Sequence, residues 1–195
     1  MKKVLIILGA VVVIAGFTWV GPTYNRMIPF RNQVELMVAD VQVQYQRRAD
    51  LVPAIVDSVS AQVKGEKDTF TEVTNARSKA TSVQLTPEVL KDPKAMEAYQ
   101  ANQATLAGAL GKLLSIQEKY PDLHQSEAFN QARVVLEEAE NRIKYARQEF
   151  NRVVNTYNNE RDPAPAFIVT WLIGMPHLAS FQASATAQNM PTVKF

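Results

Sequence analysis

The chain has 195 residues, 47% of them hydrophobic, and a formal charge of +2, which suits one domain with an appendage and excludes a multidomain enzyme. It has no cysteine, which excludes disulfides, thiolate metal sites, cysteine nucleophiles and a lipid-modified N-terminal cysteine. The charge excess is Lys2 and Lys3 alone; without them basic and acidic residues are equal at 19 each, so bulk charge gives no support for nucleic-acid binding.

Val4–Val20 reads VLIILGAVVVIAGFTWV, 17 residues without a charge. A helix of that length spans roughly 26 Å, near the lower limit for crossing a bilayer. Trp19 and Tyr24 at its end fit an interfacial aromatic belt. A cleaved signal peptide is the competing reading, but Ala15-Gly16-Phe17-Thr18-Trp19 offers no clean small-x-small cleavage site, which favours an uncleaved anchor. Lys2 and Lys3 before the segment place the N-terminus in the cytoplasm and the domain on the outer or periplasmic side. Gly9 and Gly16 share one helix face, where two anchors can pack closely.

From Asn25 to Glu160 only Gly65, Gly108 and Gly111 interrupt the pattern, too few reversals for a β-sandwich. Apolar residues recur at helical steps in four stretches. The first is Val34, Val38, Val41, Tyr45 and Arg48. The second runs from Val52, Ile55, Val56, Val59 and Val63 to Phe70, Val73 and Ala80. The third is Val89, Met96, Tyr99, Leu106, Leu110, Leu113 and Leu114, and the fourth is Phe129, Leu136, Ala139, Ile143, Ala146, Phe150, Val153 and Tyr157. Such stripes belong to helices in a bundle or coiled coil. Pro53 is expected to kink or restart the first helix, with Asp50 as N-cap. Thr86-Pro87-Glu88 reads as a capped start, Pro93 sets a second start after Asp92, Tyr120-Pro121-Asp122 is a stop, and Ser126 caps the last helix. Ala104, Gly108, Ala107 and Gly111 give the third stretch a smooth face for close approach of a neighbour. The fold class is all-α: an N-terminal transmembrane helix followed by an antiparallel bundle of three or four long helices.

Polar residues enter these stripes. Arg48, Glu140, Asn141, Arg147 and Asn151 are candidates either for buried contacts that fix helix register or for a polar groove holding a ligand or peptide. Catalytic signatures are absent: His124 and His177 are far apart in sequence, and there is no H-E-x-x-H, Glu-x-x-His, G-x-S-x-G, P-loop or G-x-G-x-x-G. No catalytic residue, metal site or cofactor is therefore expected. After Asp162-Pro163-Ala164-Pro165, the run Ala166–Met175 is too short to span a bilayer. Phe167, Ile168, Trp171, Leu172 and Phe181 must dock on the bundle, lie in the membrane interface or meet another subunit. A weakly ordered tail follows over 182–192.

Several ordered motifs resemble one family. Tyr24-Asn25 after the anchor and Gln46-Arg47-Arg48-Ala49-Asp50-Leu51-Val52-Pro53 are followed by Ala76-Arg77 and Tyr120-Pro121-Asp122-Leu123. Then come Leu136-Glu137, Glu140-Asn141-Arg142-Ile143, Ala146-Arg147, Phe150-Asn151 and Tyr157-Asn158, with Val193 and Phe195 at the end. Together they are similar to LemA-family proteins. Ala54, His124 and Phe150 depart from residues usual there, and the stretch after Asp162 follows the pattern loosely. The resemblance implies a membrane-anchored bacterial helical bundle without a secure enzymatic activity. A relative's association with forming magnetosome membranes implies membrane organisation.

The combined reading divides the chain into an anchor (1–24), a LemA-like bundle (25–161) and an apolar C-terminal segment (162–195). It describes a non-enzymatic scaffold of the bacterial envelope, self-associating and organising or shaping membrane, whose partners are the lipid bilayer, copies of itself and other envelope proteins. The alternative is a hydrolase or hydrolase accessory using a polar groove in the bundle.

Overall fold

The computed structural model describes residues 2–182, with the side chains of residues 3, 9, 18–123 and 125–182. The elements among them are all helical: α1 (Lys2–Ser60), α2 (Lys67–Ser82), α3 (Pro87–Lys91), α4 (Pro93–Ser115), two 3₁₀ turns (Ile116–Glu118 and Pro121–Gln125), α5 (Glu127–Arg161) and α6 (Ala166–Leu172). Four of these are long and form the bundle. Among the described residues no helix is long and apolar enough to cross a membrane. The anchor expected at Val4–Val20 falls largely outside the described side chains, and the expected tail, with Val193 and Phe195, lies almost wholly outside the described residues.

The buried stripe of α1 is Met27, Val34, Val38, Val41, Tyr45, Arg48, Val52, Ile55 and Val59, at steps of three, four or seven, with Ala49 buried beside Arg48. The matching stripe of α5 is Phe129, Leu136, Ala139, Ile143, Ala146, Phe150, Val153 and Tyr157. The stripes face each other in antiparallel register, because Arg26 meets Glu160, Arg47 meets Glu138 and Gln62 donates to Ser126. On the other side α2 and α4 run antiparallel, with Glu72 paired to Lys112 and Gln103 reaching Ala80.

The expected helix starts form by side-chain capping. Thr86 accepts from Val89 N with Pro87 at the first helical position. Asp92 does the same for Lys94 N ahead of Pro93, and Ser126 for Phe129 N. Each of these side chains satisfies a backbone donor that the first turn leaves unpaired.

Pro53 lies inside a continuous α1. The helix neither stops nor restarts there, and Asp50 is no cap; its carboxylate accepts from Gln46 one turn back. Proline at 53 removes the N–H that the Ala49 carbonyl needs. Arg77 of α2 supplies the replacement, its Nε donating to Ala49 O at 2.8 Å. The defect in α1 is thus closed by a neighbouring helix, which ties α2 to α1 at that level.

The smooth face of α4 also points elsewhere than expected. α4 buries Met96, Tyr99, Gln103, Leu106, Ala109, Leu110 and Leu113, which turns Ala104, Gly108 and Gly111 to solvent. A Cβ built on Gly108 or Gly111 meets nothing within 4 Å. The larger apolar residues decide which side of the helix is covered.

Arg77→Met is expected to destabilise the bundle by about 1–3 kcal/mol, the cost of stranding a part-buried carbonyl. In a Pro53→Ala background the loss shrinks, because residue 53 regains an N–H for Ala49; a double-mutant cycle from urea unfolding checks this. Gly108→Ala and Gly111→Ala should each raise stability by about 0.5–1 kcal/mol in the same assay, since both sit in an open helical face.

Candidate functional site

The core is divided in two. One cluster joins Met27–Tyr45 of α1, Met96 and Tyr99 of α4, the Ile143–Tyr157 stripe of α5 and the segment carrying Met175, Leu178 and Phe181. The other joins Val52–Val63, the inner faces of α2 and α4, Phe129 and Leu136. Between them, at one level, lie Arg48, Gln103 and Glu140.

Arg48 is 2% exposed and occupies a core position of the α1 stripe. Its Nη1 donates to Glu140 Oε1 at 2.9 Å; its Nη2 donates to Gln103 Oε1 at 2.7 Å and to Gln103 O at 3.0 Å. Gln103 Nε2 passes the chain on to Ala80 O at 3.0 Å. Four helices are joined by one guanidinium and one amide. The Arg48 guanidinium also lies 5.2 Å from the Tyr45 ring centre, and its Nε has no protein partner. A buried cation needs a counter-charge and filled donors to offset lost hydration, and Glu140 with Gln103 supplies most of that.

A groove of about 350 Å³ opens beside this layer, lined by Gln42, Val43, Tyr45, Gln46, Thr81 and Tyr99 among others. It holds no carboxylate, lysine or histidine. Burial pushes the Tyr45 and Tyr99 hydroxyls above the ordinary phenol range, so neither serves as a base at neutral pH. A second dip carries Asp68, Glu72 and Lys79 on an open surface where Glu72 is already paired with Lys112. Among the described residues no group of His, Asp and Glu is placed to hold a metal ion.

Arg147 and Asn151, expected with Arg48 in one polar set, serve a different purpose. Residues 175–182 form an extended strap along α5. The Asn151 amide pairs with both backbone groups of Phe181, at 2.8 Å each. Asn158 does the same for Leu178, at 2.9 and 3.1 Å. Asn151 and Asn158 are two helical turns apart, about 10 Å, and three residues of extended chain also cover about 10 Å. The two amides therefore match the strap's own repeat. Arg147 lies 4.8 Å over the Phe181 ring and donates to Gln182 O. Arg161 Nε and the Tyr157 hydroxyl hold Met175 O and Pro176 O, and Ala179 N donates to Leu90 O. Asn141 is apart from both sets, on the exposed face of α5.

The apolar C-terminal residues divide as well. Phe181, grouped in the sequence with outward contacts, is buried against Phe150 and Tyr45 inside the bundle. α6 buries Ala166, Val169 and Thr170, while Phe167, Ile168, Trp171 and Leu172 remain exposed. Gln103, Asn158 and Arg77 are the contributors that sequence reasoning did not single out for a role. Asn158 left a signal in its seven-residue spacing from Asn151, and Arg77 in the Ala76-Arg77 motif.

The LemA family model matches residues 37–195, most of the chain. The chain belongs to the LemA family. Two curated relatives, the magnetosome proteins MamQ 1 and MamQ 2 of Paramagnetospirillum magneticum (strain ATCC 700264 / AMB-1), are each 21% identical over 194 residues, covering 91% of this chain and 71% of the relative. Of the motif residues quoted for the family, Arg48 and Glu140 build the buried layer, Pro53 and Arg77 the mended gap in α1, and Asn158 the hold on the strap of this LemA bundle.

Glu140→Ala is expected to cost about 3 kcal/mol, because it leaves the Arg48 cation buried without a counter-charge. Adding Arg48→Met to that variant should recover stability rather than lose more. Guanidinium chloride unfolding of the two single variants and the double variant checks the order.

Proposed function

We propose that this chain is a membrane-tethered, non-enzymatic scaffold of the bacterial envelope that self-associates through helix faces and helps organise membrane. One observation carries the reading: among the described residues the buried charge, Arg48, is taken up in joining helices, while what the bundle leaves exposed at its surface includes large apolar side chains. Arg48 is consumed by the layer that joins four helices, and in the open dip that carries Asp68, Glu72 and Lys79 the Glu72 carboxylate is already paired with Lys112.

Several features support the finer parts. The 17-residue uncharged stretch Val4–Val20 is the tether, and Lys2 and Lys3 before it orient the bundle outward. Leu36 and Val43, exposed two turns apart on α1, offer an apolar stripe for a second copy. The relatives' designation as magnetosome proteins fits a role on membrane. The hydrolase alternative draws no support from the groove beside the Arg48 layer, whose lining carries no carboxylate, lysine or histidine.

Chemical cross-linking of the full-length chain in lipid nanodiscs is expected to give dimers and higher species, and Leu36→Glu with Val43→Glu should reduce them at least several-fold without lowering the melting temperature. A chain that remains monomeric in nanodiscs overturns the self-association reading.

A further inference from the structure

α6 presents a contradiction in water. Its inner side is already docked through Ala166, Val169 and Thr170, yet its outer side carries Trp171 at 74% exposure, Leu172 at 63%, Ile168 at 50% and Phe167 at 46%. These four positions, i, i+1, i+4 and i+5, make one contiguous stripe on a helix. A helix apolar on both sides is not stable against solvent unless something covers the second side. Rotation offers no relief. Met175 N bonds Thr170 O, Arg161 holds Met175 O, and the Asn158 amide holds Leu178 on both backbone groups. The strap fixes α6 with its stripe outward.

We propose that this stripe is a membrane foot: the outer face of α6 lies in the interfacial layer of the same bilayer that holds the N-terminal segment. The inference rests on the tethered reading above and adds a second, separate lipid contact. Three observations select lipid as the occupant. The first is position. The Arg26–Glu160 pair sets the end of α5 at residue 26 of α1, and α6 follows within a few residues and packs on α1. Residue 26 is only six residues, about 9 Å of helix, beyond the last residue of the uncharged stretch, comparable to the depth of the interfacial zone. The second is company: Trp19 and Tyr24, exposed on the same end of α1, are residue types that settle at that depth. The third is charge. Residues 163–193, the segment that carries the stripe, contain no Asp, Glu, Lys or Arg, so the segment itself brings no side-chain charge that would have to lose its hydration in the interfacial layer.

The chain has two tryptophans, Trp19 and Trp171, which lets each contact be read by itself. Full-length Trp19→Phe and Trp171→Phe variants are reconstituted into phosphatidylcholine vesicles with and without lipids brominated at shallow acyl positions. The expected result is strong quenching of Trp171 by brominated lipid, a blue-shifted emission, and at least several-fold protection from aqueous iodide. If Trp19 is quenched by lipid while Trp171 is reached by iodide as freely as an exposed indole, the foot is overturned and the tether stands. Protection of Trp171 from iodide without lipid quenching assigns the stripe to a second copy and also overturns the foot. If neither tryptophan is quenched, the tethered reading fails, and the foot with it. As a companion variant, Trp171→Glu with Leu172→Glu changes only exposed positions. It should fold with an unchanged far-ultraviolet spectrum, and a fluorescent label attached at Tyr24→Cys in the same chain should become several-fold more accessible to iodide; no change in that exposure counts against the foot.

Discussion

A single buried cation organises this molecule. Arg48 stands in a stripe where every other residue is apolar or aromatic, and its charge has no route to water. The bundle answers with Glu140 from α5 and Gln103 from α4, and Gln103 in turn grips the last turns of α2. An ordinary apolar contact tolerates a slip of one turn, since one leucine replaces another. A guanidinium whose partners come from two other helices does not, because a slip leaves a charge unpaired in the interior. The two apolar clusters on either side supply the bulk of the driving force, and the layer between them decides the register in which that force is used.

Register has consequences at both ends. Above the layer, α1 passes through Pro53 without breaking because Arg77 replaces the missing donor. Below it, the antiparallel alignment of α1 and α5 delivers the end of α5 to residue 26, next to the uncharged N-terminal stretch. The strap then returns along α5 on its asparagine pairs and fastens α6 at that same end. The outward stripe of α6 is thus placed by interactions that begin more than thirty Å of helix away. The exposed salt bridges, such as Arg31 with Glu35 or Arg142 with Glu138, mark geometry and add little to stability.

Much of this was legible in the chain. The helix starts at Thr86, Asp92 and Ser126 follow from local capping chemistry, and the α1 and α5 stripes from spacing alone. Arg48 was visible as a polar residue in an apolar row. What escaped was compensation from afar. Nothing near Pro53 reveals that Arg77, in the next helix, will mend the gap. The small residues of α4 suggested a contact, but larger side chains on its opposite face won the burial. The strap escaped for a different reason: the asparagines read its backbone, which carries no side-chain pattern, so nothing set Phe181, a core residue, apart from Phe167, Ile168, Trp171 and Leu172, which stay exposed.

An α1–α5 register set by the Arg48 layer, bringing the end of the bundle to the tether, places residues 26 and 160 side by side. Because the chain contains no cysteine, nitroxide labels on Arg26→Cys and Glu160→Cys in the full-length protein in vesicles test it most directly. Strong dipolar broadening is expected in the doubly labelled chain, as for side chains now in ionic contact at 3.6 Å. A spectrum equal to the sum of the two singly labelled chains would contradict it.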